Sequence, residues 1–455
     1  DRHRKYMSSM SSPPARIAII GSGPAGLTAG LLLHKHGIPF TIFELRPKPT
    51  DAELSKPSGT FDLHRESGLA AIEECGLTEE FLQRTTDCTE AQKVSDKDGN
   101  ILFEAEGMEG PGERPEISRH ALTKLLLAHI PPEAIKWGRK LRSATQVTTA
   151  ASGPAQIELE FDPSSSSSSH GGDRQIFDLV VGADGAWSRV RKLLTDVKPA
   201  YAGKQCITLT MRDLAQKRPD LHELVGSGSF LALGGGHGVI AQRAAQGSAR
   251  LYVFLTAADE HFGSSSGLAT QTAAAAARDQ LLSDDKTMLG GWGDRIKELV
   301  AAACDAETAD NPDACLDIKP LYKLPVGHAW EHKAGATIVG DAAHLMEPWA
   351  GEGANLAMWD SLALAHAIVK AHDAAGEQAA KARRGAGGEG VGDYDFASSF
   401  RIALDPLLAE FEAELAARAK EKAQETHDNG LMMYSEDGAR AVADFFASMG
   451  PPPPE

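Results

Sequence analysis

The chain has 455 residues, 63 acidic and 46 basic, and its formal net charge of −17 works against a nucleic-acid partner, which needs a basic face. With 42% apolar and 24% charged residues it can bury a large core, and no run approaches the roughly 20 apolar residues of a membrane helix. Its five cysteines, spread from Cys75 to Cys315 with no CxxC, argue against a disulfide frame or thiolate zinc site, so no metal is expected and a soluble cytoplasmic enzyme is the natural expectation.

Residues 1–14 are polar, lack the apolar segment of a secretory signal, and read as a disordered tail or expression remnant. Ile17 to Ile20 is a short apolar run that meets glycine at once, the pattern of a buried parallel strand. A helix is predicted from about Pro24 to His36, with Leu27, Leu31 and Leu32 at helical spacing and Gly37 as its stop. Phe40 to Phe43 follows as a second strand ending at Glu44, which completes a βαβ unit. Residues 117–130 read as an amphipathic helix cut by Pro131-Pro132, 156–161 as a strand, and Ser164 to Ser169 as a flexible loop tip. Phe177 to Gly182 is a further buried strand leading into Asp184-Gly185. From about 200 to 325 the strand-like pieces 206–211, 229–233, 238–243 and 250–255 are separated by glycines, which predicts a mostly antiparallel sheet. The alanines at 273–277 fall in a predicted helix. Ala336 to Gly340 returns to the buried-strand pattern and runs into Asp341, and a long helix is predicted from about Asn355 to His372. Gly376 to Gly392 reads as a mobile loop, about 395–447 as a final helix, and 448–455 as a disordered tail.

Three motifs carry chemistry. Gly21-Ser22-Gly23-Pro24-Ala25-Gly26 joins a strand to a helix. Gly21 permits the tight turn, Gly23 lets the backbone approach a pyrophosphate, and Gly26 lets helix and strand pack closely. The pyrophosphate would rest on free N–H groups at the helix start, where the dipole favours negative charge. Glu44, 18 residues beyond Gly26, is placed to accept both ribose hydroxyls of an adenosine. The second motif is Gly340-Asp341-Ala342-Ala343-His344, followed by Pro348, Gly351, Gly353, Ala354, Asn355 and Asp360. An aspartate leaving a buried strand can hydrogen-bond a sugar-alcohol chain. The turn from Gly351 to Asn355 offers N–H donors suited to negative charge on a reduced flavin. The third is Asp184-Gly185 ahead of Trp187-Ser188-Arg189-Val190-Arg191. Each motif alone also reads as an ordinary turn with no ligand.

In this order the motifs resemble the single-component aromatic hydroxylase class of flavoprotein monooxygenases, the para-hydroxybenzoate hydroxylase type. Gly59-Thr60-Phe61-Asp62-Leu63-His64, Pro115-Glu116-Ile117-Ser118-Arg119 and Gly340 to Met346 are similar to the tetracycline-inactivating flavin monooxygenases, as is the spacing of the chain from about residue 15 onward. The resemblance implies one extended FAD across the first domain. Gly21, Gly23, Pro24, Ala25 and Gly26 would hold its pyrophosphate, and Glu44 with Arg46 its adenosine. Asp62, Arg119 and Asp184 would line the groove, with Arg119 beside the flavin and no residue assigned as a certain catalyst. Gly340 and Asp341 would meet the ribityl chain, and Pro348, Gly351, Gly353, Ala354 and Asn355 the flavin ring. Substrate contacts would fall among His64, Thr210, Phe230, His237, Pro348, Trp349 and Ala350; His64 and His237 are candidate bases, but a lone histidine is more often structural and neither is assigned as catalytic. The family's polar substrate residues align near Thr210 and Phe230 and are absent here, and Glu352 stands where glutamine is common.

The implied architecture is α/β: a Rossmann-like FAD-binding domain over 15–72, 107–199 and 310–372, and an antiparallel β substrate domain over 73–106 and 200–309. A flexible loop at 373–394 and a bridging C-terminal helix at 395–447 follow. The implied reaction uses transiently docked NAD(P)H to reduce FAD, and O2 to form a flavin C4a-hydroperoxide. One oxygen then passes to a polycyclic aromatic or enolic small molecule, in a monomer. Two rivals stay open: a flavin-dependent reductase or dehydrogenase of the same fold, and a non-catalytic flavoprotein-like escort module.

Overall fold

The computed structural model describes residues 13–85, 88–107, 112–147, 155–163, 172–385 and 394–449. The expected serine-rich loop tip and most of both expected tails lie outside these residues. Strand β1 (Ile17–Ile20), helix α1 (Pro24–Lys35) and β2 (Thr41–Phe43) form the βαβ start of a parallel sheet. The chain then adds β3 (Thr60–Asp62), β4 (Gln92–Asp96), β5 (Ile101–Ala105), β6 (Glu116–Ser118), α2 (Arg119–Leu127) and β7 (Ile135–Lys136). Three strands, β8 (Leu141–Val147), β9 (Gln156–Phe161) and β10 (Asp173–Phe177), make a small antiparallel sheet. Strand β11 (Leu179–Gly182) returns to the parallel sheet beside β1. Next come β12 (Ala200–Met211), β13 (Ser229–Gly234), β14 (His237–Arg243), β15 (Ala249–Thr256), helices α3 (Ala274–Leu281) and α4 (Asp294–Asp310), β16 (Ile318–Lys323) and β17 (Ala336–Ile338). Three helices end the chain: α5 (Gly353–Gly385), α6 (Phe396–Met433) and α7 (Gly438–Ser448).

The first sheet is all parallel in the order β17-β11-β1-β2-β7. Every residue of β1 and β11 is buried, as a strand covered on both faces requires. The larger sheet runs β16-β12-β15-β14-β13-β4-β5 and is antiparallel except where β13 meets β4. Its back face, with Leu209, Phe230, Val239 and Leu251, packs on Ile296, Leu299 and Val300 of α4. Helix α6 lies along α5. No described helix is long and apolar enough to cross a membrane.

The structure corrects several expected boundaries. The run 177–182 is two strands in different sheets, broken at Asp178, whose buried carboxylate accepts from the Arg16 N–H at 2.7 Å and Gln156 Nε2 at 2.8 Å and pairs with Arg401. The helix expected at 117–130 begins only at Arg119, because 116–118 pair with β3. The loop expected at 373–394 is helical as far as Gly385; Ala371, Ala375 and Ala379, four residues apart, bury a stripe that outweighs Gly376. The single helix expected over 395–447 is two, because the chain turns between Met433 and Gly438, where a Cβ at 438 would overlap the Met433 carbonyl. Ser448 ends α7 instead of starting a tail.

Candidate cofactor groove and active site

Three turns meet at the carboxyl ends of β1, β11 and β17. Gly21 has φ +104°, and a Cβ there would overlap the Ala183 carbonyl oxygen, so the first turn and the Asp184 turn are in van der Waals contact. A Cβ at Gly26 would overlap the Gly21 carbonyl. A Cβ at Gly23 would meet no atom within 4 Å. Packing therefore demands Gly21 and Gly26, whereas nothing in the protein demands Gly23; open space above an uncapped helix start fits a ligand approaching the backbone. Pro24 occupies the first helical turn, where its missing N–H costs nothing.

Glu44 is 4% exposed and closes this end of the groove. Its Oε2 accepts from the Ser22 N–H and the Ser22 hydroxyl, both at 2.8 Å, and its Oε1 from the Arg46 N–H at 2.9 Å and Arg46 Nε at 3.1 Å. Burial alone would raise the carboxyl, but the Arg46 and Ser22 donors outweigh it and hold Glu44 below its ordinary range. Arg46 thus pairs with Glu44 across the intervening Leu45.

The second turn is tied to the third. Asp184 accepts from the Ser188 hydroxyl at 2.5 Å and from the N–H groups of Arg189 at 2.6 Å and Val190 at 3.3 Å. Burial still raises its carboxyl. Arg191, 3% exposed, donates to the Ala186 carbonyl at 2.6 Å and to the Ala342 carbonyl of the third turn at 2.9 Å. Gly340 has φ +62°, and its Cβ would lie 3.4 Å from that of Ala25, so the third turn abuts the first. Asp360 of α5, 1% exposed, accepts from the Gly340 N–H at 3.0 Å and lies 2.6 Å from His344 Nε2. Asp341 faces the open groove and is solvent-exposed. His344 and Arg119 both favour its ionised form. Arg119 stacks its guanidinium 4.4 Å over the Phe61 ring.

The turn before α5 is fixed from several sides. Gly351 has φ +68°, and a Cβ there would sit 3.1 Å from Asp62 Oδ1. Asn355, fully buried, donates to the Asp62 carbonyl at 2.8 Å and accepts from the His64 N–H at 2.9 Å and the Ser67 hydroxyl at 3.2 Å. Its side chain is thus committed inside the protein, leaving backbone N–H groups for a ligand. His64, 3% exposed, lies 3.1 Å from Asp62 and 3.6 Å from Glu352, within this network.

Beyond the turn, Trp349 meets Phe254 and Tyr434 edge-on at 4.8 and 4.9 Å, with Pro348 exposed and Ala350 half-buried beside it. Tyr252 stacks on Phe254, and its hydroxyl reaches the Gly59 and Arg119 side of the groove. Thr210 shares this front face and accepts from Arg250 at 2.5 Å. Phe230 does not; it sits in the back-face core, and His237 has the parity of Val239 and Ala241 there. Its Nδ1 accepts from the Thr256 N–H at 3.0 Å. Strand period 2 explains the misplacement, since an offset of one residue exchanges faces. Sequence reasoning named Ser22 within the first motif without giving it a role, and missed Arg250, Tyr252, Phe254, Tyr434 and Lys422, none of which lies in a turn motif. Among the described residues no acidic, histidine or cysteine cluster could hold a metal.

The FAD binding domain family matches residues 15–289 and 329–382. Monooxygenase penA of Penicillium thymicola is 36% identical over 95% of this chain and 98% of its own. The structure of Klebsiella pneumoniae HpxO with FAD and uric acid covers 96% of this chain and 92% of its own, at TM-score 0.65 and 16% identity. The tetracycline destructase Tet(51) covers 97% and 99% at TM-score 0.55 and 16% identity, a likeness of fold. The family match over most of the chain and a relative 36% identical along nearly its whole length agree: the protein belongs to the FAD binding domain family and is an FAD-dependent monooxygenase.

Proposed function

We propose that this chain is an NAD(P)H- and O2-dependent hydroxylase of a polycyclic aromatic or enolic small molecule. The observation that carries the reading is the contact of three glycine-and-acid turns along one groove that ends at the aromatic wall of Tyr252, Phe254, Trp349 and Tyr434. The N–H groups after Gly23 bind the pyrophosphate, Glu44 accepts the ribose hydroxyls, and Asp341 those of the ribityl chain. The backbone N–H groups of Gly353 and Ala354, at the start of α5, would serve as donors to a flavin ring where negative charge gathers on reduction. Bound FAD supplies the redox chemistry, two electrons from NAD(P)H being used to split O2 between substrate and water. The front face of the large sheet, which we assign to substrate, keeps water from the reacting atoms.

The test is NADPH oxidation by the FAD-loaded protein with a panel of polyketides, tetracyclines and indoles, following oxygen uptake, peroxide and product mass together. Substrate-triggered oxygen uptake with product heavier by one oxygen atom is the expected result. NADPH consumption with a reduced product and no oxygen uptake would instead identify a reductase, and a colourless protein that takes up no FAD would end the reading.

A further inference from the structure

Glu352 places a carboxylate, 5% exposed, between Gly351 and Gly353, in the turn whose N–H groups are set to meet negative charge. An unpaired buried carboxylate there would be costly itself and would oppose any negative charge the turn receives. It is paired. Lys422 of α6 brings Nζ to 2.7 Å from Glu352 Oε1 and also reaches Glu425 at 3.2 Å. Burial would lower the Lys422 amine, but Glu352 and Glu425 hold it above its usual range and so charged. A helix that belongs to neither sheet thus supplies the counter-charge to the cofactor turn.

We propose that Lys422 is a positioning residue for the flavin: its ammonium neutralises Glu352, so that the Gly351–Gly353 turn favours the reduced, negatively charged ring. This rests on the FAD reading of the groove. An intact pair and a doubly neutral one then leave the turn with nearly the same charge, His64 at 3.6 Å from Glu352 being common to both, and it is a half-broken pair that disturbs the cofactor.

The experiment compares wild type, Lys422→Met, Glu352→Gln and the double variant, each loaded with FAD, by two-electron midpoint potential and FAD dissociation constant at fixed pH. Lys422→Met is expected to weaken reduced flavin relative to oxidised by about tenfold, a fall of about 30 mV for a two-electron couple. Glu352→Gln should shift the potential upward by a similar factor, and the double variant should return close to wild type. A merely structural pair would change melting temperature without these opposed shifts. If Lys422→Met does not fold, the double variant, which buries no unpaired charge, must still lie below Glu352→Gln in potential. Equal potentials across the folded, FAD-bound variants would overturn the proposal and leave the cofactor assignment standing. Failure of the wild type to bind FAD would take both down.

Discussion

At the scale of single residues, the three glycines of the first turn separate fold from function. Gly26 has no room for a Cβ, so Gly26→Ala is expected to cost about 1–3 kcal/mol through overpacking, read as a lower melting temperature. Gly23 has room, so Gly23→Asp should melt like the wild type yet retain no flavin, because charge and bulk enter the pyrophosphate's space. Full yellow colour in that variant would contradict the assignment. The aspartate of the third turn, Asp341, and the one that braces that turn from α5, Asp360, should divide the same way. Asp341 faces the open groove, and Asp341→Ala is expected to weaken FAD and slow turnover while melting unchanged. Asp360 holds Gly340 and His344, and Asp360→Ala should cost about 3 kcal/mol by stripping a buried partner. Calorimetry beside flavin titration would expose either exchange of roles. These glycines and acids were legible because turn chemistry is local in sequence. Ser22 beneath Glu44, Arg191 bridging two turns and Lys422 behind Glu352 were not, since each acts on a partner that only the folded chain brings near.

At the scale of elements, β1, α1 and β2 followed from periodicity and glycine placement, because each is short, covered and uniform. Longer segments failed where partners decide the outcome: Gly-containing 373–385 is helical against α6, and 177–182 splits where Asp178 gathers its donors. Helix α6 is itself held to the strand–turn region before β17 by His332, whose ring nitrogens lie 2.8 Å from Glu412 and 3.1 Å from Asp405. Burial lowers the His332 imidazole, but its two carboxylate partners raise it overall; burial raises Glu412. Both groups therefore hold protons more tightly in the folded chain than when unfolded. Their stabilisation is complete below the unfolded values, 4.5 for Glu412 and 6.5 for His332, and is lost as pH rises through the higher folded ones. Melting temperature is expected to fall on raising the pH above about 6.5, and His332→Gln should flatten that decline. An unaltered slope in the variant would remove His332 from the account.

At the scale of the whole molecule, the larger sheet is tied to the elements around it: Gln242 of β14 donates to Glu116 of β6 at 2.9 Å, Lys323 of β16 to Glu347 at 2.8 Å, and α7 covers it by packing Ala439, Val442 and Ala443 on Val94, Leu231 and Leu233. Ending the chain at Ser435 is expected to speed hydrogen exchange in β4, β5 and β13 while β1 and β11 keep their protection, since only the larger sheet loses its cover. Uniform loss of protection would show that the sheets unfold as one. The threading of both sheets also bears on how the protein is made. Strand β1 must wait for β11, and β11 in turn for β17, and the β4–β5 hairpin stays unmated until β13 has been translated. A ribosome releasing this polypeptide therefore exposes two half-built sheets at once, with bare edges open to other nascent chains. Slow translation before Ala336 is expected to lengthen that exposure.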